Sequence, residues 1–315
     1  MVLRVLAKAI ALLSWGALAR AGALIGWLAG SVLRMRRAAV ETAMARAGIA
    51  DPAHEARAMY AGLGAGVLEL LWLAGAPSDA AREVALREHV VLDDDLDRAL
   101  REAAARGPVI LAASHTANWE LIAYGAARIL ATRGTRLAVV VKPLSVGAFH
   151  AFCMDLRRAC GITLLAPEGA LGNAKRSLAA GDIIAMPIDQ VPDREKHGVR
   201  VPFLGAGALA DRAPAALARA TGATLLVVAA SRDGRMQRGH LLAELPPELP
   251  LDAGSKGAAN AWILHATREA TRALDAFVRL HPSSWLWLHR RWRAPLDVGP
   301  TPDRLGRLVA TGHPG

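Results

Sequence analysis

Cysteine is almost missing from this chain. Of its 315 residues only Cys153 and Cys160 are cysteines, and both fall in one predicted helix. They frame no disulfide scaffold and, with no C-x-x-C, they suit a reducing compartment and simple packing. No G-x-G-x-x-G and no G-x-x-x-x-G-K-S/T occurs, so no nucleotide cofactor is expected. No G-x-S-x-G occurs, which argues against the nucleophile elbow of the α/β-hydrolases. Aromatic residues make up 4% of the chain, eight of them Trp. No RNA-binding aromatic signature, zinc-finger spacing or basic heptad region is present, so nucleic acid is not an expected partner. There is no internal repeat and no long low-complexity linker.

What the chain does have is apolar and basic. It is 53% hydrophobic with a mean hydropathy of +0.25, a net charge of +10 and a pI near 10.6. That combination leaves an anionic membrane surface, or an acidic protein or substrate, as partner. The N-terminus supports the membrane. Residues 9–19 are mostly apolar, Arg20 interrupts, residues 21–33 are apolar again, and Arg34, Arg36 and Arg37 follow. A cleaved signal peptide fits poorly, because the apolar run continues past any cleavage point. One bilayer span carrying a strained Arg and an anchor lying in the interface both remain open. Basic residues stand on both sides, at Arg4, Lys8, Arg34, Arg36 and Arg37, so they do not orient the segment but suit an anionic leaflet.

The pattern changes beyond that arm. Residues 38–75 are Ala-rich and helical in period, and 90–92 reads as a strand. Continuous apolar runs at 108–113, 137–141, 162–165, 183–188 and 224–230 read as buried strands. They alternate with helices near 95–105, 121–130, 147–160, 169–180, 212–221 and 257–281. This is the signature of an α/β domain with a mostly parallel sheet flanked by helices. The expected organisation is a membrane-anchoring helix over 1–37, an α/β domain over 38–294, and a loose tail over 295–315.

The strand at 108–113 runs into Ser114-His115-Thr116-Ala117-Asn118-Trp119-Glu120, and a helix follows. A strand-to-helix turn is where an α/β sheet presents chemistry. Five residues turn a regular helix by about 500°, so His115 and Glu120 meet only if His115 lies before the helix and Glu120 in its first turns. The carboxylate would then fix the imidazole tautomer and make His115 a general base for a hydroxyl or amine. A His and a Glu at this spacing also occur together by chance, so the pair takes its weight from its context.

With these pieces in place the chain resembles the bacterial lipid A biosynthesis acyltransferases, within the wider lysophospholipid acyltransferase superfamily. The likeness covers about residues 30–293 and rests on four blocks. They are His115-Thr116-Ala117-Asn118-Trp119-Glu120; Val141-Lys142-Pro143-Leu144 with Leu156-Arg157-Arg158-Ala159-Cys160-Gly161; Asp189-Gln190 with Gly198-Val199-Arg200-Val201-Pro202-Phe203-Leu204-Gly205; and the run Pro282 to Trp292. The resemblance implies a glycerol-3-phosphate acyltransferase-like fold. It also implies transfer of a fatty acyl chain from an acyl carrier protein (or CoA) thioester to a hydroxyl of a phosphorylated glycolipid. The work would be done on the cytoplasmic side of the inner membrane, without metal or cofactor. It makes His115 and Glu120 the catalytic pair, and Asn118, Lys142, Arg157, Asp189, Gln190 and Arg200 candidates for substrate binding.

Read on their own, several of these residues keep a second meaning. Arg157 binds a phosphate or the oxyanion, or it lies on a solvated helix face. Asp189 belongs to the same sheet edge as His115, or it caps a loop. The oxyanion is expected to meet amides or a cation near the turn. Trp285, Trp287 and Trp292, interleaved with Arg290, Arg291 and Arg293, form an interfacial patch or a strand with a buried Trp face. The chain departs from the family at Ala210, where a Thr is usual, and at Phe203-Leu204, where two Phe are usual. Another phospholipid or an amino lipid as acceptor, transfer to water, and a non-catalytic membrane adaptor are the competing readings.

Overall fold

The computed structural model describes residues 2–140, 147–166, 168–192, 194–247 and 256–292. Its N-terminal part is helical: α1 (Val2–Ile10), α2 (Trp15–Trp27, continued by a π-helical turn at Leu28–Val32), α3 (Arg37–Arg46) and α4 (Pro52–Gly75). Helix α4 starts where Asp51 accepts the His54 amide and Pro52 takes the first helical position, where its missing N–H costs nothing. Then follow α5 (Asp79–His89), β1 (Val90–Leu92), α6 (Asp94–Arg106), β2 (Val109–Ala113), α7 (Trp119–Ala131), β3 (Leu137–Val140), α8 (Gly147–Ala159), β4 (Ile162–Leu165), α9 (Ala170–Ala179) and β5 (Ile183–Pro187). The chain continues through β6 (Gly198–Phe203), β7 (Ala206–Asp211), α10 (Ala213–Thr221), β8 (Thr224–Asp233), β9 (Met236–Leu245) and α11 (Lys256–Leu280).

Among the described residues the central sheet has seven strands in the order β1-β9-β8-β2-β5-β3-β4. Every neighbouring pair is parallel except the β8–β9 hairpin. Strand β2 is buried on both faces, as a parallel strand covered by helices must be. One apolar cluster lies on each side of the sheet. Leu100, Leu121, Tyr124 and Leu130 belong to the first, and Ala218, Trp262, Leu274 and Val278 to the second. The α/β architecture expected from the sequence is present. Register then fixes the site: β2 pairs with β5 so that Ala113 stands opposite Pro187. Two residues further on, the strands deliver His115 and Asp189 side by side at the carboxyl edge.

Three features differ from the expectation. Residues 2–32 form two helices and a π-helical turn, where a single helix is expected. Residues 198–211 form an antiparallel hairpin, β6–β7, turned at Leu204 and Gly205 with φ near +49° and +78°. Strand β9 was not anticipated, because Gln237, Arg238, Gly239 and His240 break the apolar run that marks the other strands. The 295–315 tail lies outside the described residues.

Helix α2 reaches α4 through glycines. A Cβ built on Gly22 would overlap the Ala65 backbone, one on Gly26 the carbonyl of Tyr60, and one on Gly64 the carbonyl of Gly22. Gly62 of α4 has nothing within 4 Å. Replacing Gly62 with Ala is therefore expected to raise stability by about 0.5–1 kcal/mol, because Ala restricts the unfolded chain and favours helix. Gly64→Ala is expected to lower stability and to speed proteolysis of the α1–α2 connection. Thermal melting and limited proteolysis of the two variants check the opposite signs.

Helix α4 is, among the described residues, the one helix long and apolar enough to cross a membrane, yet half of its apolar window is buried inside the protein. The outer surface of α1 and α2 is different. Val5, Leu6, Leu24, Ile25 and Trp27 are exposed there.

Candidate active site

The His115 turn is held by contacts from several elements. Asn118 accepts the Leu121 amide and so caps α7. Ala117 sits at φ +49°, a left-handed conformation that costs a non-glycine residue about 1–2 kcal/mol. Its amide donates to Ser284 O at 2.6 Å, and Leu286 N donates to His115 O at 3.0 Å. The C-terminal block is thus strapped across the turn.

His115 Nδ1 lies 2.8 Å from Asp189 Oδ1, and the His115 amide donates to Asp189 Oδ2 at 2.7 Å. The Trp285 indole donates to the same Oδ2 at 3.0 Å. Asp189 is fully buried, and three N–H groups converge on its two oxygens. Burial alone would raise its pKa, but the charge and hydrogen bonds of His115 overcome that and hold it well below the usual carboxylate range. Burial likewise pulls His115 down, while the charge and hydrogen bond of Asp189, helped by Glu120, outweigh it and leave the imidazole above 6.5. Asp189 therefore fixes the tautomer with the proton on Nδ1 and leaves Nε2 as the basic nitrogen.

This corrects the expected pairing. Glu120 makes a bidentate ion pair with Arg157, whose Nε donates to Oε2 at 3.0 Å and whose Nη2 donates to Oε1. Tyr124 also donates to Glu120 Oε2, at 2.9 Å. Lying in the first turn of α7, Glu120 points to α8 and reaches His115 only through its charge. The carboxylate on the imidazole comes from 74 residues further along the chain, just past the end of the neighbouring strand β5.

The other expected site residues divide. Gln190 belongs to the site: its Nε2 is 3.5 Å from His115 Nε2, and its carbonyl accepts from Arg291 Nη1 at 2.8 Å. Asn118 is buried and serves the framework, with Nδ2 donating to Glu69 Oε2 at 2.8 Å and its amide to Gln237 Oε1 at 3.1 Å. Arg200 is exposed on β6 and pairs with Glu195 at 2.7 Å. Lys142 lies outside the described residues.

Residues that sequence reasoning missed include Trp285, His289 and Arg291. Trp285 and Trp287 are buried, so the Trp face is interior as one alternative held, but residues 285–292 form no strand beyond an isolated bridge between Thr116 and Trp285. Arg291 is 2% exposed, not interfacial, and burial pushes its pKa down to about 10. His289 stacks edge-on against His115, with ring centroids 4.8 Å apart. His115, Asp189 and His289 bring ligand-type atoms within 4.8 Å of one another. Both Asp189 oxygens already accept N–H donors, however, so the grouping suits proton transfer better than metal ligation.

Two cavities adjoin the turn. A narrow apolar cleft between sheet and helices is lined by Leu96, Leu100, Leu111, Ile122, Ala126 and Leu137 and reaches Ser114, Thr116 and Trp119. A larger cavity of about 360 Å³ lies between the N-terminal helices and the turn, with Ala19, Met59, Ala117, Trp119, Arg232 and Ser284 on its wall.

No curated protein matches the chain. A model of the family described as bacterial lipid A biosynthesis acyltransferase matches residues 2–294. Its span takes in the His115 turn, the Asp189-Gln190 strand end and the Trp285–Trp292 strap alike, and the chain belongs to that family of acyltransferases.

Proposed function

We propose that this acyltransferase moves a fatty acyl chain from an acyl carrier protein or CoA thioester to a hydroxyl of a lipid A precursor, on the cytoplasmic face of the inner membrane. The observation that carries the mechanism is the His115–Asp189 pair at the carboxyl edge of the sheet. The acceptor hydroxyl gives its proton to His115 Nε2 as its oxygen attacks the thioester carbon. Collapse of the tetrahedral intermediate breaks the C–S bond, and the proton passes from His115 to the departing sulfur. Asp189 stabilises the imidazolium between the two steps.

The cavities support the division of substrates. The apolar cleft runs from the level of Ala113 to that of Leu137, four residues down the paired strands. At ~3.3 Å per residue this is about 13 Å. Its apolar lining suits an acyl tail lying along the strands. The larger cavity adjoins α2 and α4 and suits the glycolipid acceptor. The apolar outer face of α1 and α2, edged by Arg4, Lys8 and Arg20, suits an anionic leaflet. A net charge of +10 also suits an acidic carrier protein.

The test combines purified protein, acyl thioester and lipid A precursor, with mass spectrometry of the products. One added acyl chain on the precursor is expected, and His115→Ala should lower turnover by about 10²–10⁴. Acceptor-independent free fatty acid as the main product would mark a hydrolase instead. Undiminished turnover in His115→Ala would remove His115 from the chemistry.

A further inference from the structure

Attack on a thioester moves the carbonyl electron pair onto oxygen, and that oxyanion needs donors. Resting on the reading above, the source of those donors can be narrowed by accounting for each candidate. Four backbone amides of the turn are committed. His115 N donates to Asp189, Thr116 N to Ser114 O at 2.9 Å, Ala117 N to Ser284 O and Asn118 N to Gln237. These four amides are therefore not free to serve the oxyanion. Arg157 commits Nε and Nη2 to Glu120, and Arg291 Nη1 donates to the carbonyls of Gln190 and Leu209, while Arg291 Nε is buried without a partner.

Two side chains against the His115 ring keep donors outside these bonds. Gln190 Nε2 makes only a long contact, 3.5 Å, with His115 Nε2. His289 packs edge-on against the His115 imidazole, ring centroids 4.8 Å apart and planes at 74°, and its buried Nδ1 has no hydrogen-bond partner. We propose that His289 and Gln190 form a side-chain oxyanion hole, donating N–H bonds to the thioester oxygen as His115 removes the acceptor proton.

The protonation state suits the role. Burial is the main cause that keeps His289 below 6.5; the charges of His115, Arg291 and Arg36 act the same way, and Asp189 opposes them. At neutral pH the ring is therefore neutral and keeps one N–H. With no carboxylate on its orphan Nδ1, His289 is not built as the base. The two imidazoles thus divide the work: one accepts a proton, the other offers one in a hydrogen bond without releasing it.

The experiment measures kcat and KM for both substrates in His289→Ala, His289→Gln and Gln190→Ala, with thermal melting to confirm folding. His289→Ala and Gln190→Ala are each expected to lower kcat by about 10²–10³, with KM changed by less than about threefold because the bond forms only in the transition state. His289→Gln, which restores an N–H that does not titrate, should recover at least about tenfold of the loss. It should also keep the acid limb of the pH profile, since that limb belongs to His115. If His289→Ala fails to fold, Gln190→Ala still decides. A kcat within about fivefold of wild type in both alanine variants overturns the proposal, as does a loss confined to KM. So does His289→Gln when it is as inactive as Ala or has lost its acid limb. A wild type that transfers no acyl chain sinks the underlying reading first, and this inference with it.

Discussion

Asparagine at position 189 is expected to lower kcat by about 10³–10⁴ while the protein stays folded, the size of loss seen when the orienting carboxylate of a Ser-His-Asp triad becomes an amide. Asp189 accepts from His115 Nδ1 at 2.8 Å, from the His115 amide and from the Trp285 indole. An amide offers one oxygen and one NH₂ to these three donors. With the oxygen facing the backbone amide and Trp285, the NH₂ faces His115 Nδ1 and drives the ring proton to Nε2, so the base becomes a donor. With the oxygen facing Nδ1, the NH₂ meets two buried N–H groups, and melting temperature falls as well.

The pH dependence carries the sign. His115 acts as a base only when neutral, and Asp189 holds its pKa above 6.5. The wild-type rate therefore rises with pH through that elevated value. Removing the carboxylate lets burial dominate, so the residual activity of Asp189→Asn should have its acid midpoint at lower pH. Glu120→Gln provides the contrast: it breaks the pair with Arg157 and is expected to cost less in kcat than Asp189→Asn. Profiles of kcat/KM between pH 5 and 9 for the three proteins are the measurement. Near-normal turnover in Asp189→Asn beside an inactive Glu120→Gln would return the orienting role to Glu120.

Why the sequence points to Glu120 and the fold to Asp189 has a plain physical reason. Local spacing reports what can meet within one turn of helix, and His115 and Glu120 lie close along the chain. Strand pairing is non-local. Nothing in residues 108–120 says that β5 lies beside β2, or that Ala113 stands opposite Pro187. The strands themselves were legible, because burial on both faces forces continuous apolar runs. Strand β9 was not, because it pairs with β1 and β8 while carrying Gln237, Arg238 and His240. The Trp285–Trp292 strap gave an ambiguous signal for a similar reason. Alternating Trp and Arg reads equally as a membrane interface, and only tertiary contact shows Arg291 donating inward to two carbonyls. Asn118 looked like a ligand-binding side chain. Its amide and carboxamide are instead occupied by Gln237 and Glu69, a partner set drawn from β9 and α4.

That last contact leads to the largest expected effect on stability. Glu69 is 2% exposed in the middle of apolar α4. Its carboxylate accepts from Arg232 Nη1 at 2.7 Å, from Arg232 Nη2 at 2.9 Å and from Asn118 Nδ2 at 2.8 Å. Glu69→Leu leaves a largely buried guanidinium and a buried carboxamide without their acceptor, and is expected to cost about 3–5 kcal/mol. Arg232→Met leaves the carboxylate unpaired in its place and should cost a similar amount. The double variant Glu69→Leu/Arg232→Met removes both charges and is expected to recover most of that loss, because the favourable Coulomb energy of a buried pair is largely cancelled by its desolvation. Chemical denaturation of the four proteins closes the cycle; additive losses would show that the two side chains do not act as a pair. Activity should follow a different order. The double variant still lacks the acceptor for Asn118, whose side chain caps α7, the helix that carries Trp119 and Glu120. Stability restored with kcat still depressed is therefore the expected outcome. It would assign Glu69 the task of holding the catalytic turn against the apolar helix, beyond any contribution to stability.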